Sequence, residues 1–384
     1  MPALDAAQLE QAAAVRAALR RHLERRGGWV GFDEYLEQVL YAPGLGYYSA
    51  GAAKLGAAGD FITAPELSPL FGGCIARQCA PLLGVGRDLL ELGAGSGALA
   101  EVLLTRLAEL AALPDRYLIL EPSADLRERQ RTRLQRLPAE LHQRVQWLDA
   151  LPQRALRGVI LANEVADALP FQCFAKRSDG FEELGVSLDH SGAPQWSARP
   201  APAALRGELA RIDASLAQPF AAGFRGELCL RLEPWIAGLS GALESGALLL
   251  FDYGLGRGEL YHPQRDSGTL RCHFRHRAHD DPFLHPGLQD ITAWVDFTRL
   301  AEVAAAADLE VAGYCTQAAF LLGGGIDAEL ARAGDALERA RLASEARQLL
   351  LPGEMGETFK AMLLTRGVLP PLPAFSVQDL RRLL

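Results

Sequence analysis

The stretch Asp88–Gly97, DLLELGAGSG, is an apolar run closed by the acidic Glu91 and Leu92 and followed by glycines at 93, 95 and 97. It has the form of a first strand that hands over to a ligand-cradling turn, because glycine permits positive φ and lets the backbone approach a bound group closely. The next run, ALAEVLLTRLAEL, is apolar at helical spacing and predicts a helix whose N-terminus faces that ligand. A ligand with an adenosine half is expected. Gly93, Gly95 and Ala98 also satisfy the looser dinucleotide fingerprint, and Glu121, at the end of the next strand, suits ribose hydroxyls with either cofactor. Glu91 separates the candidates, since a carboxylate repels a pyrophosphate and attracts an amino-acid ammonium. S-adenosylmethionine carries that ammonium and a sulfonium, so it is expected here in preference to NAD.

The chain has 384 residues, 49% of them hydrophobic, enough to bury a large core and carry one sizeable addition to a catalytic domain. No apolar run approaches the roughly twenty residues of a spanning helix, and Asp5 and Glu10 sit in a charge-rich first stretch. A protein without membrane insertion is expected, cytoplasmic, or in the mitochondrial matrix if the source is eukaryotic. The six cysteines are scattered with no Cys-x-x-Cys pair and read as reduced, buried thiols. A net charge of −8 argues against nucleic acid and suits an arginine-bearing protein partner better. A homodimer is left open.

Strand and helix patterns alternate along the chain: strand 87–92, helix 97–111, strand 116–120, helix 123–135, then strands 145–148 and 158–162. This predicts an α/β fold, a doubly wound, mostly parallel, seven-stranded Rossmann-like sheet. The expected division is an N-terminal helical or cover segment, 1–85; a first half of the core, 86–170; an insertion with hairpins, 171–225; and more core, 226–253. A lid-like insertion, 254–297, and a C-terminal core part, 298–384, complete it. Within these, 192–204 reads as an Ala/Pro-rich loop and 327–350 as one long helical run.

In an open parallel sheet the ligands lie beyond the carboxyl ends of the strands. LANEVADALPF, 161–171, is such an end, and it ejects Asn163, Glu164 and Asp167 within five positions. Methyl transfer from a sulfonium is an in-line displacement that needs an aligned nucleophile and a place for its proton. Two carboxylates can grip a guanidinium fork and polarise one nitrogen, which makes Glu164, Asp167 and Asn163 the candidate catalytic set. The alternative is that Asn163 and Asp167 only cap the helix or turn that follows, about as apt for Asp167 and less so for Glu164; for Asp252, at the end of strand five, capping is at least as apt. GDFITAPE places Asp60 and Thr63 in a turn that could cover the cofactor, while Thr63 or Ser68 could equally cap a helix. His273, His276, His279 and His285 are spaced suggestively, but interleaved arginines, glycine and proline favour a mobile mixed-charge lid over a metal site.

With those residues in place, the chain resembles the MidA-like methyltransferase family, which includes the arginine-methylating mitochondrial assembly factor of respiratory complex I. The resemblance rests on GFDEYLEQVLYAPGLGYYS, GDFITAPELSPLFG, ELGAGSG, ANEVADALP, FDYG, GTLRCHFRHR with DDPFLHPGLQDITAWVDF, and MGETFKAMLLTRG, in family order. It implies S-adenosylmethionine bound by Gly93, Gly95, Gly97 and Glu121. It also implies a protein arginine as acceptor near Glu164 and Asp167, in a respiratory-complex subunit. Ala94 and Ser96 replace a proline and an arginine of many relatives. Val165 and Ala166 stand where aromatics are common, so those walls of the acceptor pocket are expected to be missing. The alternatives are an assembly chaperone on the same fold, and a methyltransferase acting on small molecules or nucleic acid.

Overall fold

The computed structural model describes residues 4–49, 63–152 and 156–384. Its centre is a path of seven strands: β1 (Asp88–Leu92), β2 (Tyr117–Leu120), β3 (Val145–Leu148), β4 (Leu156–Asn163), β5 (Leu243–Leu255), β6 (Glu310–Thr316) and β7 (Phe359–Arg366). They lie in the order β6-β7-β5-β4-β1-β2-β3, parallel except for β7, which runs antiparallel to both neighbours. Alternation of side chains across the pleat explains why both faces carry helices. Leu89, Val159 and Leu161 enter one apolar cluster with the helices Pro69–Cys79 and Ala98–Glu109. Leu90, Ile160 and Ala162 enter another with the helices Leu232–Ala242 and Phe297–Ala306. The expected doubly wound sheet is therefore present, with its reversal of strand order between β1 and β4.

The first insertion forms a separate antiparallel sheet. Gln172–Arg177 pairs with Gly180–Leu188 and with Arg225–Leu228, so the insertion runs a few residues past 225. Pro194–Pro200, expected as loop, is a strand against Gly180–Leu188; its prolines and exposed positions fit an edge strand. The N-terminal segment joins the same sheet, because Trp29–Gly31 pairs with that strand through Val30 and Val186. Its helix Ala6–Arg25 packs Val15, Leu19 and Leu23 into a cluster with Cys173, Cys272 and Ile291. Segments separate in sequence thus share one core.

The second insertion, expected as a mobile lid, carries regular structure. Arg271–Phe274 pairs with Arg277–His279 and Asp290–Thr292 in a three-stranded antiparallel sheet, and Cys272 and Phe274 are buried. The hairpin turns at Arg275 and His276, both at positive φ, as a tight two-residue connection requires. The run 327–350 is also divided, into Ile326–Leu330 and Ala336–Leu350, with Asp335 capping the second helix. All six cysteines are free, and no helix among the described residues is long and apolar enough to cross a membrane.

Candidate functional site

One cavity of about 760 Å³ lies beyond the carboxyl ends of the central strands. Glu91, Gly93, Gly95 and Glu121 line it at the ends of β1 and β2; Asn163, Glu164 and Asp167 line it at the end of β4; Thr63 lines it from the N-terminal segment. The cofactor turn and the carboxylate cluster thus open into one space. Gly97 stands at the N-cap of the helix behind the turn, and Asp60, with most of the cover it was expected to form, lies outside the described residues.

Gly93, Gly95 and Gly97 all have positive φ, at 59°, 55° and 82°, so the turn presents bare backbone towards the cavity. Its outer side is held by side chains from two other segments. Gln130 donates to the Gly95 carbonyl (2.9 Å) and to Glu121 (3.3 Å), and is itself fixed by Trp147 Nε1 (2.8 Å). Glu66 accepts from the Ser96 hydroxyl, which Arg133 also reaches. Thr63 makes no capping bond, whereas Ser68 caps the following helix through the Leu70 amide (3.3 Å).

Glu91 is 3% exposed and accepts from the Tyr117 hydroxyl at 2.5 Å; burial pushes its carboxyl up to about 7. Glu121 is likewise raised by burial, against the bonds from the Ser123 amide and Gln130. A cation at this end would return both towards the charged form. The chemistry of the donors and the bare turn fit an S-adenosylmethionine-like group: carboxylates for an ammonium and for vicinal hydroxyls, backbone where side chains would obstruct.

At the other end, Glu164 adopts φ +53°, an uncommon conformation for a side-chain-bearing residue, and its backbone N–H donates a hydrogen bond to the Phe251 carbonyl (2.8 Å). Burial, then the charge of Asp167, pushes its carboxyl up to about 8, opposed by the Asn163 side chain, which donates to it at 3.2 Å. Asp167 is also raised by burial, and it accepts from the Tyr253 hydroxyl through Oδ2. Its Oδ1 has no hydrogen-bond partner among the described residues although the atom is buried. No helix follows Asp167, which begins a short turn. Asp252 braces the same loop, accepting from the amides of Ala166 (2.9 Å) and Asp167 (3.2 Å). The expected gap in the aromatic wall is filled from elsewhere: Tyr41, Tyr47, Tyr48, Tyr253, Trp294 and Phe359 all line the cavity. No group of residues suited to a metal ion occurs among the described residues.

The family of S-adenosyl-L-methionine-dependent methyltransferases matches residues 74–315, more than half of the chain. The chain belongs to that family. The methyltransferase is similar to the mitochondrial protein arginine methyltransferase NDUFAF7 of Homo sapiens, 30% identical over 362 residues, which cover 85% of this chain and 78% of the relative. The Danio rerio counterpart is 28% identical over 380 residues, 90% and 86% of the two chains. A crystal structure of a Burkholderia thailandensis superfamily member bound to S-adenosyl-homocysteine superposes with a TM-score of 0.94 at 42% identity, covering 100% of both chains. These matches bear out the MidA-like resemblance and fix the cofactor as S-adenosylmethionine.

Proposed function

We propose that this methyltransferase modifies an arginine side chain of a protein, with a respiratory-complex subunit as the partner the resemblance implies. The observation that carries the reading is the pair Glu164 and Asp167, buried beside the cofactor turn in one cavity, with Asp167 Oδ1 lacking a hydrogen-bond partner among the described residues. A buried carboxylate oxygen without a donor is costly, and a guanidinium, all donors and no acceptors, satisfies it and spans both carboxylates with its planar fork. The relatives named as arginine methyltransferases support the same acceptor.

On this reading Glu91, Gly93, Gly95, Gly97, Glu121 and Thr63 hold the cofactor. When bound, S-adenosylmethionine supplies an electrophilic methyl on sulfonium and leaves as the thioether with the electron pair of the broken bond. Asp167 and Glu164 grip the guanidinium fork, which aligns one nitrogen and excludes water from it. Burial raises the Glu164 carboxyl in the empty site, and the guanidinium charge together with Asn163 favours its ionised form, which takes the proton that the nitrogen sheds.

The test is incubation with radiolabelled S-adenosylmethionine and cell extract, followed by hydrolysis of the labelled protein. Label is expected in methylarginine with the native enzyme and is expected to vanish with Glu164→Gln. Label in another amino acid, in nucleic acid or in a small molecule would overturn the acceptor.

A further inference from the structure

The second insertion contributes a wall to the cavity that faces the same space as the strand-four carboxylates. On the strand Asp290–Thr292, alternate residues share a face: Asp290 and Thr292 line the cavity, while Ile291 between them enters the apolar cluster of the N-terminal segment. Asp290 is 3% exposed and accepts from the Tyr48 hydroxyl at 2.7 Å. Thr292 is 2% exposed, yet its hydroxyl has no hydrogen-bond partner among the described residues. Such a group in a native core calls for an occupant that completes it. Register fixes the pair in place, since Asp290 lies opposite His273 and Thr292 opposite Arg271 on the neighbouring strand.

We propose that Asp290 and Thr292 form the second half of the acceptor site and receive the edge of the guanidinium that Glu164 and Asp167 leave open. The proposal rests on the arginine reading above. A monosubstituted guanidinium has five N–H donors in a fixed plane, more than two carboxylates on one side can accept with good geometry. A third carboxylate and a hydroxyl from an opposing sheet accept the remainder, and acceptors on two sides suit a wide planar fork better than the compact ammonium of lysine. Tyr48 acts as a positioning residue that orients Asp290.

Calorimetric titration of the full chain, saturated with S-adenosylhomocysteine, with acetyl-Gly-Arg-Gly-amide and its lysine counterpart tests this. The native protein is expected to prefer the arginine peptide. Asp290→Asn is expected to weaken that peptide by about tenfold and Thr292→Val by several-fold, each narrowing the preference over lysine. S-adenosylhomocysteine affinity, measured on the same samples, should stay within about twofold and reports that each variant is folded. Native-like arginine affinity and preference in both variants, with Glu164→Gln losing them, would overturn this inference and leave the arginine reading standing. A native protein without arginine preference would overturn both.

Discussion

Glu164 combines backbone strain, burial and a neighbouring carboxylate, and each raises the free energy of the empty site. Its ordinary value of 4.5 is moved to about 8 by burial and then by Asp167. Between these values the unfolded chain has released a proton that the folded chain still holds, so ligand-free stability falls as pH rises through the window and levels off above it. The loss from this group is on the order of a few kcal/mol. Denaturant unfolding at about pH 5 and about pH 8.5 should show a smaller loss for Glu164→Gln than for the native chain. Equal losses would place the strain elsewhere. The residues that shape the acceptor end were only partly legible. Asn163, Glu164 and Asp167 are adjacent in sequence and stand out as a polar burst after an apolar strand. Tyr41, Tyr48, Asp290 and Thr292 come from segments far apart in the chain, and each one alone reads as ordinary packing. Buried Gln130, which ties the glycine turn to Glu121, gives no local signal in the sequence.

Among the elements, the central strands were legible because their apolar runs are continuous and separated by helical periodicity. The edge strand Pro194–Pro200 was not, since its prolines and exposed residues carry a loop's composition and only the pairing partner makes it a strand. Where β4 passes β1, the backbone leaves no room for a side chain. Gly158 has φ +134°, and a Cβ there would lie 2.1 Å from the Asp88 carbonyl oxygen. Gly158→Ala should therefore destabilise the protein by about 3 kcal/mol or more through strain and a forced shift of the strand pair. Chemical denaturation measures it, and a loss within about 0.5 kcal/mol would contradict the close approach.

At the scale of the molecule, the N-terminal segment and the two insertions are not independent additions. Their side chains share one apolar cluster, and together they place Tyr48, Asp290 and Thr292 opposite the residues that follow β4. The alternating patterns foretold the sheet, but not this shared body, because its contacts join positions more than a hundred residues apart, as between Val30 and Val186. Ligands that bind the folded chain stabilise it by mass action, about 2.7 kcal/mol at a hundredfold excess over Kd. S-adenosylhomocysteine should raise the melting temperature accordingly, and NAD at equal concentration should leave it unchanged. An equal shift with NAD would contradict the assignment of Glu91 as a selector against pyrophosphate.

The central claim is a division of labour within one cavity: the glycine turn holds the cofactor and the residues after β4 handle the acceptor. Single-turnover methyl transfer to protein arginine, measured alongside S-adenosylhomocysteine affinity in the same Glu164→Gln protein, tests it most directly. Cofactor affinity is expected to stay within about twofold of native and transfer to fall by about a hundredfold or more. Transfer at the native rate, or transfer and cofactor affinity lost together, would contradict it.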